Sequence, residues 1–411
     1  MTKVTSFPKD KIKILLLEGV HQSSIDEFEK RGYTNIDYRK GALSESELLE
    51  IIDDYHLIGI RSKTNLTKAV LEKASKLLAV GCFCIGTNQV DLKTAAEQGI
   101  AVFNSPYSNT RSVAELIIAE SVMLLRRIPE RSRAAHDGIW LKDANRSYEL
   151  RGKKIGIVGY GHIGSQVSVL GEAMGLQVYY YDVEPKLPLG NAQSIDSLKE
   201  LMSTCDIVTL HVPATPETVN MITAKELSWM KEGSILLNLS RGTVVDIEAL
   251  KTVIESNQLA GAAVDVFPLE PKIKSEPFTS PLQGLPNVIL TPHIGGSTQE
   301  AQENIGIDAA TKLGNYLDRG ATIGNHTIPD LNLPIQNANN HRILHIHDNV
   351  PGVLSEINSK LSHLNVNVTG QHLKTNEKIG YVVLDIEGEA TLEALEELKT
   401  VRNTIKARIL F

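Results

Sequence analysis

The sequence predicts an α/β protein of two successive parallel-sheet domains and a small C-terminal module, and three observations carry that reading. From residue 13 onward, short aliphatic or β-branched runs alternate with amphipathic stretches, the pattern of βαβ units. The series restarts at Lys154, where a strand-like run leads directly into Gly159-x-Gly161-x-x-Gly164. Beyond Asn340 the order becomes βαββαβ, the ferredoxin-like arrangement. At 411 residues the chain exceeds what one core fills, so two or three domains are expected.

In the first series, strands are expected at 14–17, 57–60, 77–80 and 100–103, with helices at 44–53, 67–75 and 91–98, the last stopped by Gly99. A long helical pattern over 112–126 leads to the second series. Its strands fall at 155–158, 178–181, 207–211, 235–238, 262–266 and 288–290, six in all, as a dinucleotide-binding sheet requires. A helix from Gly296 to about Leu317 precedes a Gly, Asn and Pro-rich stretch, 319–340, that reads as a linker. The tail then gives strands at 342–347, 366–373, 380–387 and 405–410, with helices at 352–361 and 391–400.

Hydrophobic residues at 42% and charged residues at 22% describe an ordinary globular chain. A net charge of −7 without any Lys/Arg run excludes nucleic acid as partner, because phosphate-backbone binding needs a concentrated basic face. Cys82, Cys84 and Cys205 lack disulfide or zinc spacing, which fits a reducing cytoplasm. The N-terminus has no signal-peptide core, and no apolar run reaches the roughly 18 residues that span a bilayer. A cytoplasmic protein with no membrane partner is expected.

The glycine triplet sits between a hydrophobic strand and a helix start, where each glycine has a separate task. Gly159 permits the tight turn, Gly161 lets a pyrophosphate approach, and Gly164 lets helix and strand pack closely. The amides of His162 and Ile163 and the positive helix end complete an anion site. Asp182 ends the next strand, placed to accept hydrogen bonds from ribose hydroxyls and to repel a 2′-phosphate. Lys186 alone tempers the resulting preference for NAD over NADP. The second series is therefore expected to be a Rossmann-type NAD domain.

Three residues lie at or beyond C-terminal strand ends of that domain: Arg241, Glu270 and His293. Singly, they suit a structural cation, a surface carboxylate and a turn histidine. Together, beside a dinucleotide sheet, they suit oxidation of an alcohol. Histidine takes the hydroxyl proton near neutrality, a carboxylate on its second nitrogen orients it, and an arginine fork binds a carboxylate.

Gly159–Gly164, Leu239-Ser-Arg-Gly-Thr-Val-Val-Asp246, Gly261–Pro271 and Thr291–Gly296 resemble the D-2-hydroxyacid dehydrogenases. The resemblance implies catalytic roles for Arg241, Glu270 and His293. It implies nicotinamide-side contacts for Leu239, Ser240, Arg241, Asp265, His293, Ile294, Gly295 and Gly296. It also implies that the NAD-binding Rossmann domain, 108–296, is inserted in a flavodoxin-like substrate domain, 1–107 completed by 297–330.

Ile60–Thr64, Val80–Asp91 and Asn104–Val113 resemble the bacterial branch of that family that oxidises D-3-phosphoglycerate in L-serine biosynthesis. Arg61, Ser62, Lys63 and Asn109 are the expected phosphate and carboxylate ligands, with Lys40 and Lys142 as further candidates. Reduction of 2-oxoglutarate to 2-hydroxyglutarate is an expected side activity. Alternative readings are a dehydrogenase of glycerate, lactate or 2-hydroxyglutarate, or a dinucleotide-sensing corepressor of the same fold.

The tail resembles an ACT regulatory domain, 339–411, through His345-Ile-His-Asp-Asn-Val-Pro-Gly-Val-Leu354. That implies feedback inhibition by L-serine at His347, Asn349 and Asn367, and a homotetramer built through NAD-domain and ACT-domain contacts. Metal binding by His345 and His347, with His341 and Asp348 near, is the competing reading, and no metal is expected. Asn337-Ala-Asn-Asn340 stands where that branch carries a Gly-Gly hinge, so altered domain coupling is expected.

Overall fold

A computed structural model describes residues 8–271, 275–334, 340–387 and 391–410. The backbone divides into two compact units, Met1–Ser108 with Gln302–Phe411, and Asn109–Ala301. The substitution of the hinge at 337–339 lies outside the described residues.

The first unit holds a parallel sheet of β1 (Ile14–Leu16), β2 (Ile36–Tyr38), β3 (Leu57–Ile60), β4 (Ala79–Cys82) and β5 (Ala101–Asn104) in the order β2-β1-β3-β4-β5. That is the flavodoxin-like order, whose switch point lies between β1 and β3. β2 went unread in the sequence, because three residues centred on Asp37 make no hydrophobic run. Asp37 instead accepts from the Tyr55 hydroxyl at 2.6 Å and pairs with Arg39 at 2.8 Å. The helix Gln299–Arg319 covers the same sheet through Ala309, Leu313 and Tyr316, all buried with Phe83 and Phe103.

The second unit holds β6 (Lys154–Val158), β7 (Gln177–Tyr181), β8 (Gln193–Ser194), β9 (Ile207–Leu210), β10 (Ser234–Asn238), β11 (Leu259–Val264) and β12 (Val288–Leu290). All pairs are parallel, in the order β12-β11-β10-β9-β6-β7-β8, so the order in which strands are added reverses between β6 and β9. The sheet is of the Rossmann type, with one strand more than expected. The addition, β8, is two exposed polar residues on the sheet edge and carries no sequence signal.

The C-terminal sheet, β13 (His341–Asp348), β14 (Asn367–Thr375), β15 (Ile379–Glu387) and β16 (Thr404–Leu410), is antiparallel in the order β14-β15-β13-β16. β13 and β15 are buried on both faces. Ile343, Val382, Leu384 and Ile386 pack with Ile357, Leu361 and Leu398 of the two helices, Val353–His363 and Thr391–Lys399. The alternate positions Leu344, Ile346, Tyr381 and Val383 join the core containing Phe103, Tyr316 and Leu317. The tail is thus docked by its sheet, and Arg342, fully buried, seals the junction. Its guanidinium grips Asp385 at 2.6 and 2.8 Å and donates to the Arg319 and Pro334 carbonyls.

The stretch read as a linker is also folded up to residue 334. Asn325 bridges Phe103, and the Thr327 hydroxyl takes the Val102 amide and donates to the Ile100 carbonyl at 2.7 Å. Polar side chains satisfy the backbone here, so composition alone misleads. Among the described residues, no helix is long and apolar enough to cross a membrane.

Candidate active site

The dinucleotide turn is built on the C-terminal end of β6. Gly159 has φ +93°, and a Cβ there would come 2.5 Å from the His211 carbonyl oxygen. A Cβ on Gly164 would collide with the Gly159 carbonyl, which fixes the distance between helix and strand. Gly161 caps the helix His162–Ala173, and nothing stands within 4 Å of where its Cβ would be. The space that glycine leaves open faces the helix N-terminus, as a pyrophosphate cradle requires. Asp182 is held at the end of β7, accepting from the Tyr160 amide at 2.7 Å and the Glu184 amide at 3.0 Å. Lys186 is paired with Glu184 at 2.5 Å, so the one cation beside Asp182 is partly neutralised.

Arg241 leaves β10 on a turn clamped by Asn238, which the sequence reading missed. The Asn238 amide oxygen accepts from the Ser240 amide and hydroxyl at 3.2 and 2.9 Å, and its nitrogen donates to the Arg241 carbonyl at 3.0 Å. At Gly242 any Cβ would collide with the Phe267 carbonyl and so wedge apart the Arg241 turn and the Glu270 segment. Asp265, 1% exposed, gathers the last loop: it accepts from the Thr291 hydroxyl, the Ile294 amide and the Gly295 amide at 2.6 to 2.8 Å. His293 is thereby held at φ +55°, an uncommon conformation for a side-chain-bearing residue, of the kind that marks functional loops.

In that position His293 Nδ1 lies 2.8 Å from Glu270 Oε2, while Glu270 Oε1 accepts from the Phe267 amide at 3.1 Å. Of the three residues grouped in the sequence, His293 and Glu270 are thus in direct contact, and Asp265 secures the loop that carries His293. The hydrogen bond to Glu270 holds the imidazolium above its ordinary pKa, against partial burial, and the charges of Glu270 and Asp265 add to this. Burial pushes the Glu270 carboxyl up, but the His293 hydrogen bond, the Phe267 amide and the charges of His293 and Arg241 bring it below the usual range. The arrangement leaves Nε2 to exchange a proton with a substrate. Arg241 donates to the Ser240 carbonyl at 2.7 Å through one nitrogen, keeping its turn rigid.

The expected substrate ligands divide. Arg61, Ser62 and Lys63 follow β3 in the first unit, Ser62 and Lys63 exposed. Asn109 belongs to the second unit and abuts Gly296, where a Cβ would collide with its side-chain nitrogen. Lys40 and Lys142 are exposed. In the tail, His347 and Asn349 lie at one end of the sheet, and the Asn349 amide donates to the Asn376 carbonyl at 2.7 Å. Asn367 is at the other end: His347 pairs with Gly380 but Asn367 with Glu387, a separation of about 23 Å at strand rise. One chain does not bring the three together. The rings of His345 and His347 are tilted against each other with centroids 5.5 Å apart, and among the described residues no group of three metal-ligating side chains forms.

Glu120, also missed, is buried behind the site with neither carboxylate oxygen hydrogen-bonded. A charge on the apolar stripe of the helix Thr110–Leu125, between Ile117 and Leu124, was the signal available. Burial, with the charge of Asp265, raises Glu120 to about 8. Between its ordinary pKa and that value the unfolded chain releases a proton that the native state keeps, so stability falls as pH rises through the window. Glu120→Gln should remove that slope and stabilise the protein by roughly 2–4 kcal/mol at about pH 8.5. Urea unfolding of both proteins at acid and alkaline pH checks this, and an equal difference at both would contradict it.

Residues 118–295 match the family D-isomer specific 2-hydroxyacid dehydrogenase, NAD binding domain, and 343–406 match an AHAS small subunit-like ACT domain. The class is that of NAD-dependent oxidoreductases. The chain is 54% identical, over all of both chains, to D-3-phosphoglycerate dehydrogenase of Escherichia coli (strain K12). It is 49% identical, again over all of both, to that of Dictyostelium discoideum. By that identity the chain belongs to the D-3-phosphoglycerate dehydrogenase family. Among solved structures, D-lactate dehydrogenase from Aquifex aeolicus complexed with NAD and lactic acid matches 74% of this chain and 95% of its own, at 28% identity and TM-score 0.64. D-2-hydroxyisocaproate dehydrogenase matches 77% of this chain and 99% of its own, at 25% identity and TM-score 0.69.

Proposed function

We propose that this protein oxidises D-3-phosphoglycerate to 3-phosphohydroxypyruvate in the cytoplasm, the step that commits carbon to L-serine. The observation that carries the reading is the His293–Glu270 pair at 2.8 Å, held by Asp265 on the family's NAD-binding sheet. Bound NAD supplies the hydride acceptor, on the cradle of Gly159, Gly161, Gly164 and the carboxylate of Asp182. His293 Nε2 takes the hydroxyl proton as the C–O bond becomes a carbonyl, and Glu270 stabilises the imidazolium that results. Arg241 binds the carboxylate, while Arg61, Ser62, Lys63 and Asn109 hold the remaining anionic groups. Identity over the whole chain with relatives named for this activity supports the substrate. Steady-state NADH formation with D-3-phosphoglycerate, D-glycerate and D-lactate tests it: kcat/KM should be highest for the phosphorylated acid, and a preference for lactate would reject it. Slow reduction of 2-oxoglutarate would fit the same cations.

Regulation by L-serine belongs to the same reading. A serine site shared between two copies, one supplying His347 and Asn349 and the other Asn367, is supported by the separation of about 23 Å between the His347 and Asn367 ends. A homotetramer with paired C-terminal sheets meets that need. Asn349→Ala and Asn367→Ala should each raise the serine concentration for half-inhibition roughly tenfold or more, the loss of a hydrogen bond to a charged ligand. Mixed assemblies of the two variants should regain one intact site in each pair. Mixtures no more sensitive than either variant would reject the shared site.

A further inference from the structure

The turn after β1 carries an acidic residue in a conformation that needs a reason. Glu18 has φ +60° and is followed by Gly19 at φ +62°. Its carboxylate reaches across the switch point of the first sheet and accepts three backbone amides of the loop after β3. Oε1 takes Arg61 at 3.1 Å and Thr64 at 2.8 Å, and Oε2 takes Lys63 at 3.0 Å. The same turn fastens the segment after β2, since the Glu18 amide donates to the Gly41 carbonyl and the Gly19 amide to the Arg39 carbonyl. One residue thus ties together the loops that display Arg61, Ser62, Lys63 and Lys40, where an open α/β sheet places its ligand crevice. Gln89, 5% exposed, fixes the far side by donating to the Arg61 carbonyl at 2.7 Å.

We infer that Glu18 is a positioning residue for the substrate phosphate, and that this loop recognises the phosphate through side chains and not through the three amides that Glu18 takes. The chemistry runs against a first expectation, because a carboxylate beside an anion site is repulsive. It is explained if the carboxylate's task is to consume the amides. Successive free N–H groups in such a loop form a concavity that takes any small anion. With the amides of Arg61, Lys63 and Thr64 occupied, anion binding is left to the Arg61 fork and the Lys63 and Lys40 ammonium groups. These hold a phosphate only if their backbone is fixed, and a carboxylate makes a stronger clamp than a neutral acceptor. The strained φ is the cost of aiming it.

This inference rests on the substrate proposed above, and the test separates the two. In the full-length protein Glu18→Gln keeps one carbonyl oxygen for the Arg61 and Thr64 amides and loses the acceptor for Lys63, while Glu18→Ala loses all three. The KM for D-3-phosphoglycerate should rise on the order of tenfold for alanine and less for glutamine, with kcat falling far less. NADH affinity should hold. Amide hydrogen exchange should quicken at Lys63 alone in the glutamine variant, and at Arg61, Lys63 and Thr64 in the alanine variant. A merely structural turn would instead lower Tm and kcat together and leave KM in place, and that result overturns the inference, as does unchanged exchange. A wild-type protein that ignores D-3-phosphoglycerate would reject the substrate while the exchange pattern still decides the clamp.

Discussion

His293→Ala should lower kcat by about 10²–10⁴-fold, the usual contribution of a positioned general acid/base, and leave NADH binding nearly intact. The dinucleotide cradle stands on β6 and β7, whereas His293 stands on the loop after β12, so one can fail without the other. The loop needs no imidazole to keep its course, because Asp265 grips the Ile294 and Gly295 amides directly. His293→Asn is the informative companion, since asparagine accepts positive φ most readily among residues with a side chain. Both variants should lose activity equally. Turnover within a few-fold of wild type in either would remove His293 from the chemistry.

The largest stability loss is expected at Arg342. Its guanidinium is wholly buried and bonded to Asp385, the Arg319 carbonyl and the Pro334 carbonyl. Arg342→Ala leaves the Asp385 carboxylate buried without its cation, which costs about 3–5 kcal/mol. Arg342→Met with Asp385→Leu should recover much of that, because burying neither charge avoids the desolvation of both. Chemical denaturation followed by near-ultraviolet circular dichroism checks both. The loss should fall on the C-terminal docking, with uninhibited turnover kept and serine sensitivity weakened.

What the sequence disclosed was what is local. Gly159, Gly161 and Gly164 lie within six residues and serve one turn, so their spacing carried the site. Arg241, Glu270 and His293 were found because each follows a strand of an ordered series. Glu18 escaped, since a polar residue after a strand says nothing about which amides it will accept more than 40 residues away, and Asn238 escaped because its clamp on Ser240 and Arg241 is a turn without a motif of its own. The tail was read as a separate module from its βαββαβ order after a Gly, Asn and Pro-rich stretch. Yet Tyr381-Val-Val-Leu-Asp-Ile386 and Ile343-Leu-His-Ile346 lack the alternation that a sheet with one face in water shows, and that continuity was the legible sign of a second covered face. His347, Asn349 and Asn367 share one resemblance, but the strand register sets them at opposite ends of the sheet, a separation that the order of the chain does not disclose.

The Glu270 carboxylate raises the proton affinity of His293, and the pH dependence of kcat/KM tests this most directly. In the oxidative direction His293 must be neutral to accept the proton, so the rate rises as pH passes its pKa, which Glu270 holds above the ordinary value. Glu270→Gln removes the negative charge, lowers that pKa and should move the acid limb of the profile to lower pH, with a smaller loss of kcat than His293→Ala. An acid limb that stays in place in Glu270→Gln would contradict the account.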